Sequence, residues 1–117
     1  MSDDVTGQTA VTSISAQAQV ATLINVFTVE PDKQQRLADL LAEATEQVMR
    51  HRKGFVSANI HASEDGTRVV NYAQWATRED FEAMLADPVA REHMAACAAL
   101  AEHFEPHLFR VASVHHA

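Results

Sequence analysis

The residues with the clearest chemical potential are an amide and an indole four positions apart, Asn71 and Trp75. They belong to a run of strand-forming residues that follows an Asp65-Gly66 turn, and a similar run, Phe55–Ala62, precedes the turn. Asp-Gly between two such runs predicts a β-hairpin, because glycine accepts a positive φ. Side chains alternate along a strand, so Asn71 and Trp75 share a face with their Cα atoms about 13 Å apart. That span matches the length of a flat molecule of two or three rings.

Three further polar residues are candidates for a site. Asn25 interrupts an apolar strand, and a buried amide needs partners or costs about 1–3 kcal/mol. It makes either a structural hydrogen bond inside the sheet or a contact to a ligand. His93 shares a predicted helix face with apolar residues and is the acid–base candidate, because imidazole readily transfers protons near neutral pH. His61 shares a strand face with Ser57 and Asn59, and that face belongs either to a pocket or to the solvent-exposed surface.

The seven histidines of the chain do not predict a metal site. His103 and His107 have helical spacing, but Pro106 stands between them and is expected to end any helix. His115 and His116 are adjacent, so their side chains would point apart on a strand. No set of cysteines or carboxylates with the spacing of a zinc site accompanies them.

Composition excludes several classes of function. The 117 residues suit one domain, and no apolar run approaches the roughly 20 residues of a membrane span. The net charge of −7, without a cluster of Lys and Arg, argues against nucleic-acid binding. The single cysteine, Cys97, cannot form an internal disulfide, so we expect a cytoplasmic protein with a buried thiol.

Apolar periodicity predicts the first elements of the fold. Residues 20–29 form a strand with two mostly apolar faces, both expected to be covered. Pro31 begins a helix, because its missing N–H is harmless at that position. One stripe of this helix is apolar: Leu37, Leu40, Leu41, Ala44 and Val48. Gly54 then breaks the chain before the hairpin.

Capping residues and prolines predict the elements after the hairpin. Thr77 opens a helix with a variant of the capping box, and Asp87-Pro88 opens another. This second helix is expected to run to residue 102 or 103, before Pro106. Residues 108–114 are expected to form the last strand.

The predicted order is β-α-β-β-α-β over residues 19–117, the ferredoxin-like α+β pattern. Residues 1–18 are polar and lack a period, so we expect a flexible arm. Two helices cover only one face of a four-stranded sheet and leave the other apolar face exposed. We therefore expect a homodimer in which two sheets stack face to face into a dimeric α/β barrel.

From Phe55 to Trp75 the chain resembles the antibiotic biosynthesis monooxygenase family. His-Ala-Ser before the turn, Asp-Gly-Thr within it and Val-Val-Asn-Tyr-Ala-Gln-Trp after it carry the resemblance, together with the helix entry from Phe81 to Asp87-Pro88. Within this family the segment is most similar to the quinone-forming monooxygenases of aromatic polyketide pathways. The order of elements matches over roughly residues 20–115.

The resemblance implies a cofactor-independent monooxygenase that oxidises an aromatic polyketide-like phenol, anthrone or quinol to a quinone. Such an enzyme uses O₂ without metal, flavin or haem, because the deprotonated substrate itself supplies the electrons. The protein must bind a flat apolar molecule, remove a proton and stabilise the resulting anion. The family's Asn and Trp on this strand correspond to Asn71 and Trp75, which we expect to be catalytic together with His93 as the proton carrier.

Two positions depart from the polyketide enzymes. Phe81 and Met94 stand where those enzymes have Tyr and Arg, so a different substrate pose is expected. The absence of the phenol and the guanidinium also favours a second hypothesis, in which the protein is a dimer that binds small molecules without catalysis. The expected substrate-binding residues are Asn25, His61, Phe81, Met84 and Met94.

A third reading comes from the haem-degrading monooxygenases of the same superfamily. Their strand Asn corresponds to Asn25, and their haem-ligating His lies near His93. Their helix Trp is replaced by Met84 or Leu85, which argues against the haem reaction.

Overall fold

The structure is a computed structural model that describes residues 10–117. The predicted α+β order is confirmed, with the second helical region divided in two. The elements are β1 Ala21–Thr28, α1 Gln34–Gln47, β2 Phe55–Ala62, β3 Arg68–Trp75, α2 Arg78–Ala86, α3 Pro88–Leu100 and β4 His103–Phe109, with 3₁₀ turns at Pro31–Lys33 and Met49–His51. Within this part of the chain, no helix combines the length and apolar character that a membrane span requires.

The four strands form one antiparallel sheet in the order β2-β3-β1-β4, which leaves β2 and β4 at the edges. The helices pack against one face, which we call the inner face. Two clusters of buried side chains form the core there. One surrounds Trp75 near one end of the two central strands, and the other surrounds Phe27 near the opposite end. On the inner face of β1, Leu23 belongs to the first cluster and Phe27 to the second, so Asn25 lies between the two.

The predicted turn and helix starts are confirmed. Gly66 has a φ of +82°, as the Asp-Gly turn requires. The Thr77 hydroxyl accepts a hydrogen bond from the Asp80 amide at 3.0 Å and caps α2. The Asp87 carboxylate caps α3 by accepting from the Ala90 amide at 2.8 Å.

Two predicted boundaries are wrong. Helix α3 ends at Leu100 rather than at 102 or 103, and the last strand is His103–Phe109 rather than 108–114. Pro106 therefore lies inside β4 and does not precede it. Strand β4 pairs only with β1, and an edge strand tolerates proline because half of its N–H groups need no partner in the sheet.

Residues 10–20 contain no helix or strand, and two of them, Thr12 and Ser13, contact the outer face of the sheet. The Gln74 side chain donates to the Ser13 carbonyl at 2.9 Å, and the Thr12 hydroxyl donates to the Asn59 side chain. Gln74 is only 3% exposed. The predicted flexible arm, residues 1–18, lies partly outside the described residues.

Candidate active site

A cavity of about 510 Å³ lies between the inner face of the sheet and the helices. Its walls are mostly apolar and come from all four strands and all three helices. The side chains that matter most for its chemistry are Asn25, Asn71, Trp75, Phe81, Met84, Arg91 and Met94. Its volume falls within the range of about 300–1,000 Å³ that is usual for pockets that bind small molecules.

Two amides face each other on the sheet side of this cavity. Asn25 of β1 is the direct cross-strand partner of Asn71 of β3, and both line the cavity. The Oδ1 atom of each is buried and has no hydrogen-bond partner among residues 10–117. An unpaired buried acceptor costs about 1–3 kcal/mol, so the fold carries both at the expense of stability.

Trp75 is held rigidly at one end of the cavity. The indole is 2% exposed and makes edge-on contacts with two phenyl rings. Its ring centroid is 5.5 Å from that of Phe55 and 6.3 Å from that of Phe81. Such pairs stabilise the core and restrict the rotamer of the indole. Trp75 therefore serves both as a core residue and as a wall of the cavity.

The structure brings six of the eight predicted site residues together at the cavity. They are Asn25, Asn71, Trp75, Phe81, Met84 and Met94. The two histidines, His61 and His93, are not among the residues that line it.

Strand alternation and helix geometry explain where the histidines lie. His61 pairs with Val70, one position from Asn71, so its side chain is on the opposite face of the sheet. There it is exposed, with Nδ1 3.1 Å from the Asn59 carbonyl oxygen. The half-buried His93 lies roughly 130° around α3 from the middle of the side that carries Arg91 and Met94.

Sequence reasoning missed Arg91. It stands one turn before Met94 on the cavity side of α3, and its guanidinium is always charged. The helical spacing to Met94 was the signal that could have identified it. His107 also lines the cavity, but its cross-strand partner is Ile24 of the outer face. Strand alternation therefore places its imidazole outside, where Nε2 lies 3.3 Å from the Glu105 carboxylate, and leaves its main chain for the wall.

Cys97 is the lining residue with a perturbed ionisation. Burial, with a smaller contribution from the Glu43 carboxylate, raises the pKa of the thiol to about 11. The side chain is therefore neutral near pH 7 and unsuited to act as a nucleophile. In the described part of the chain, no three His, Cys, Asp or Glu side chains are grouped in a way that could hold a metal ion.

The chain is similar to known monooxygenases. The family model described as antibiotic biosynthesis monooxygenase matches residues 21–100. Over 85 residues, 73% of this chain and 76% of the relative, the sequence is 51% identical to tetracenomycin-F1 monooxygenase of Streptomyces glaucescens.

Two solved structures of Streptomyces proteins superpose well. A monooxygenase from the gene ActVA-Orf6 of Streptomyces coelicolor, solved with the ligand nanaomycin D, gives a TM-score of 0.78 at 28% identity, over 86% of this chain and 94% of that one. SnoaB, a cofactor-independent oxygenase from Streptomyces nogalater, gives a TM-score of 0.70 at 27% identity, over 83% of this chain and 97% of that one. The resemblance seen in the hairpin is thus confirmed, and the chain belongs to the antibiotic biosynthesis monooxygenase family.

Proposed function

We propose that the protein is a cofactor-independent monooxygenase that oxidises a multi-ring phenol, anthrone or quinol to a quinone with O₂. The observation that carries this proposal is the unpaired Asn25–Asn71 couple beside Trp75 in an otherwise apolar cavity. The 51% identity to tetracenomycin-F1 monooxygenase supports the same class of substrate.

The cavity suits an anionic aromatic intermediate. Apolar walls and the Trp75 indole hold the flat rings, and the amide N–H group of Asn71 donates to the ring oxygen that gains charge when the substrate loses a proton. The enolate of an anthrone can then give one electron to O₂. The resulting carbon radical and superoxide combine to a peroxide, which loses water and leaves the second carbonyl. The balance is one anthrone and one O₂ to one quinone and one water.

The described side chains that line the cavity include no group suited to accept the substrate proton near pH 7. Among the described lining side chains, Cys97 remains protonated and the imidazole of His107 faces outward. We therefore assign proton removal to solvent, assisted by the Asn71 amide that stabilises the anion. Arg91, an exposed residue that contributes to the lining, carries a positive charge near this cavity.

Substitution of Asn71 tests this proposal directly. We expect Asn71→Ala to lower kcat for anthrone oxidation about 10²–10³-fold, because a donor to the developing oxyanion is lost. Oxygen uptake and quinone absorbance with anthrone, with no cofactor added, measure the rate. Asn59→Ala is the matched control, since that amide donates to Ser57 and to the Tyr72 carbonyl on the outer face.

Failure of the wild-type protein to consume O₂ with several anthrones, while it still binds the quinone products, would instead support the non-catalytic reading. The structure does not favour haem binding in this cavity, because His93, the expected haem ligand, is not on the cavity wall.

We also propose that the active form is a cytoplasmic homodimer that stacks its outer sheet faces. Ile24, Val26 and Tyr72 are only half-buried there, and Phe109 of β4 is 49% exposed. A second copy would cover this apolar surface. Stacked sheets would leave the cavity of each protomer on the inner face.

A further inference from the structure

The two amides of the cavity form one unit rather than two separate contacts. Asn25 and Asn71 are directly opposite in the β1–β3 register and point to the same face. Directly opposed residues of antiparallel strands have Cβ atoms about 4.5–5.5 Å apart. Both amide groups can therefore reach the same edge of a bound molecule.

Among the described residues, neither amide oxygen has a partner within the fold. The Oδ1 atoms of Asn25 and Asn71 are buried and accept no hydrogen bond from any described residue, including each other. Asn59 on the neighbouring strand behaves differently, since its Nδ2 donates to the Ser57 hydroxyl at 3.1 Å and to the Tyr72 carbonyl at 3.0 Å. The side chain of Asn59 is therefore a structural one, whereas the oxygens of Asn25 and Asn71 are free to accept a hydrogen bond from a ligand.

The chemistry of the couple defines what satisfies it. Each amide offers one acceptor and two N–H donors. A hydroxyl next to a ring carbonyl is the complementary group: the hydroxyl donates to one Oδ1, and the carbonyl oxygen accepts from the N–H of the other amide. An unsubstituted ring carbonyl can use the donors but leaves an acceptor unpaired.

We propose that Asn25 and Asn71 together select substrates in which a hydroxyl lies in the peri position beside the reacting ring carbonyl. This inference rests on the proposed function and narrows it from anthrones in general to peri-hydroxylated ones. Asn71 serves the carbonyl oxygen, as argued above, and Asn25 reads the neighbouring hydroxyl. Asn25 is therefore a specificity-determining residue.

Kinetics with two substrates test the inference. We expect Asn25→Ala to reduce kcat/KM for 1,8-dihydroxyanthrone about 10- to 100-fold, in keeping with an unpaired group in a site built for hydrogen bonding. For unsubstituted anthrone we expect a change below about threefold, because that substrate has no hydroxyl for Asn25 to read. Equal losses for both substrates, or no loss for either, would overturn the proposal.

A binding measurement tests the inferred selectivity without requiring that the protein catalyse the proposed reaction. Trp75 is the single tryptophan of the chain, so quenching of its fluorescence reports on the cavity. We expect 1,8-dihydroxyanthraquinone to bind the wild-type protein at least about tenfold more tightly than anthraquinone, and the Asn25→Ala variant to bind both equally. This comparison applies even if the protein oxidises no anthrone. Equal affinities in the wild-type protein would refute the selection of peri-hydroxyl groups.

Thermal unfolding shows whether Asn25 is structural. We expect the midpoint of Asn25→Ala to equal or exceed that of the wild-type protein, because the substitution removes an unpaired buried acceptor. Asn59→Ala should lower the midpoint, because it removes the three hydrogen bonds that this side chain makes with Thr12, Ser57 and Tyr72. Asn25→Ser provides a second, smaller polar variant for the kinetics. A large fall in the midpoint of both Asn25 variants would mean a structural role and would contradict the proposal.

Discussion

At the residue scale, Asn25 and Asn71 each carry a buried side-chain oxygen that has no hydrogen-bond partner among the described residues. Both stand on the inner face of central strands, between residues that are buried and apolar. An aliphatic side chain at either position would leave no buried acceptor unpaired. Trp75 shows the opposite case, since the contacts that anchor it in the core also hold it at the wall of the cavity.

His93 supplies a prediction at this scale. Because its side chain is not on the cavity wall, we expect His93→Gln to change kcat less than about twofold across pH 6–9, compared with the usual 10²–10⁴-fold contribution of a general base. Steady-state anthrone oxidation measures it. A loss of a hundredfold, with a changed pH profile, would restore the histidine as the proton carrier.

Cys97 supplies a prediction about stability and pH. The pKa of its thiol in the folded protein is about 11, above the usual value of 9.0. Below pH 9 both folded and unfolded chains keep the proton, whereas above pH 9 only the unfolded chain loses it, so this group weakens folding as pH rises toward 11. Urea unfolding at pH 8 and pH 10 should therefore show a larger loss of stability for the wild-type protein than for Cys97→Ala. An identical pH dependence of the two proteins would show that the thiol titrates normally.

At the element scale, the start of α3 fixes the wall that carries Arg91 and Met94. The Asp87 carboxylate caps this helix at the Ala90 amide and also accepts from the Arg52 guanidinium at 2.7 Å. The Ala90 N–H and then the charge of Arg52 lower the pKa of Asp87. One carboxylate thus joins the helix to the loop before the hairpin.

The lowered pKa gives a signed prediction. A depressed carboxyl pKa contributes stability above the ordinary value of 3.8 and loses it as pH falls through the folded value. We expect Asp87→Asn, which keeps a capping oxygen but removes the charge, to lower the melting temperature at pH 7 and to reduce its fall between pH 6 and pH 3. Asp39→Asn on the exposed side of α1 is the control. If both variants follow the wild-type pH dependence, the ion pair has no effect on stability.

At the scale of the whole molecule, the cavity exists because the core is divided. The cluster around Trp75 and the cluster around Phe27 pack separately, and the Asn25–Asn71 couple lies between them. The outer face of the same sheet contacts Thr12 and Ser13 and, as proposed, a second protomer.

The proposed dimer gives a prediction at this scale. Val26 is on the outer face of the central strand β1, so Val26→Lys would place a charge inside the interface between sheets. Light scattering should give a dimer for the wild-type protein and a monomer for this variant. Val89→Lys, at an exposed position on α3, should remain dimeric. A monomeric wild-type protein at micromolar concentration would contradict the proposed assembly.

The sequence by itself determined the local structure. The Asp-Gly turn, the caps at Thr77 and Asp87 and the shared face of Asn71 and Trp75 depend on residues that are close in the chain. Their conformations are set by φ preferences and by short-range hydrogen bonds, which local patterns encode.

Only the tertiary structure decided which distant residues meet. The register that opposes Asn25 to Asn71 joins two strands far apart in sequence, and a slip of one residue would have turned either amide to the outer face. The same long-range pairing places Pro106 in an edge strand, and helix packing turns Arg91 rather than His93 toward the cavity. These outcomes depend on how whole surfaces pack, because that packing contributes more free energy than the local preferences it overrides.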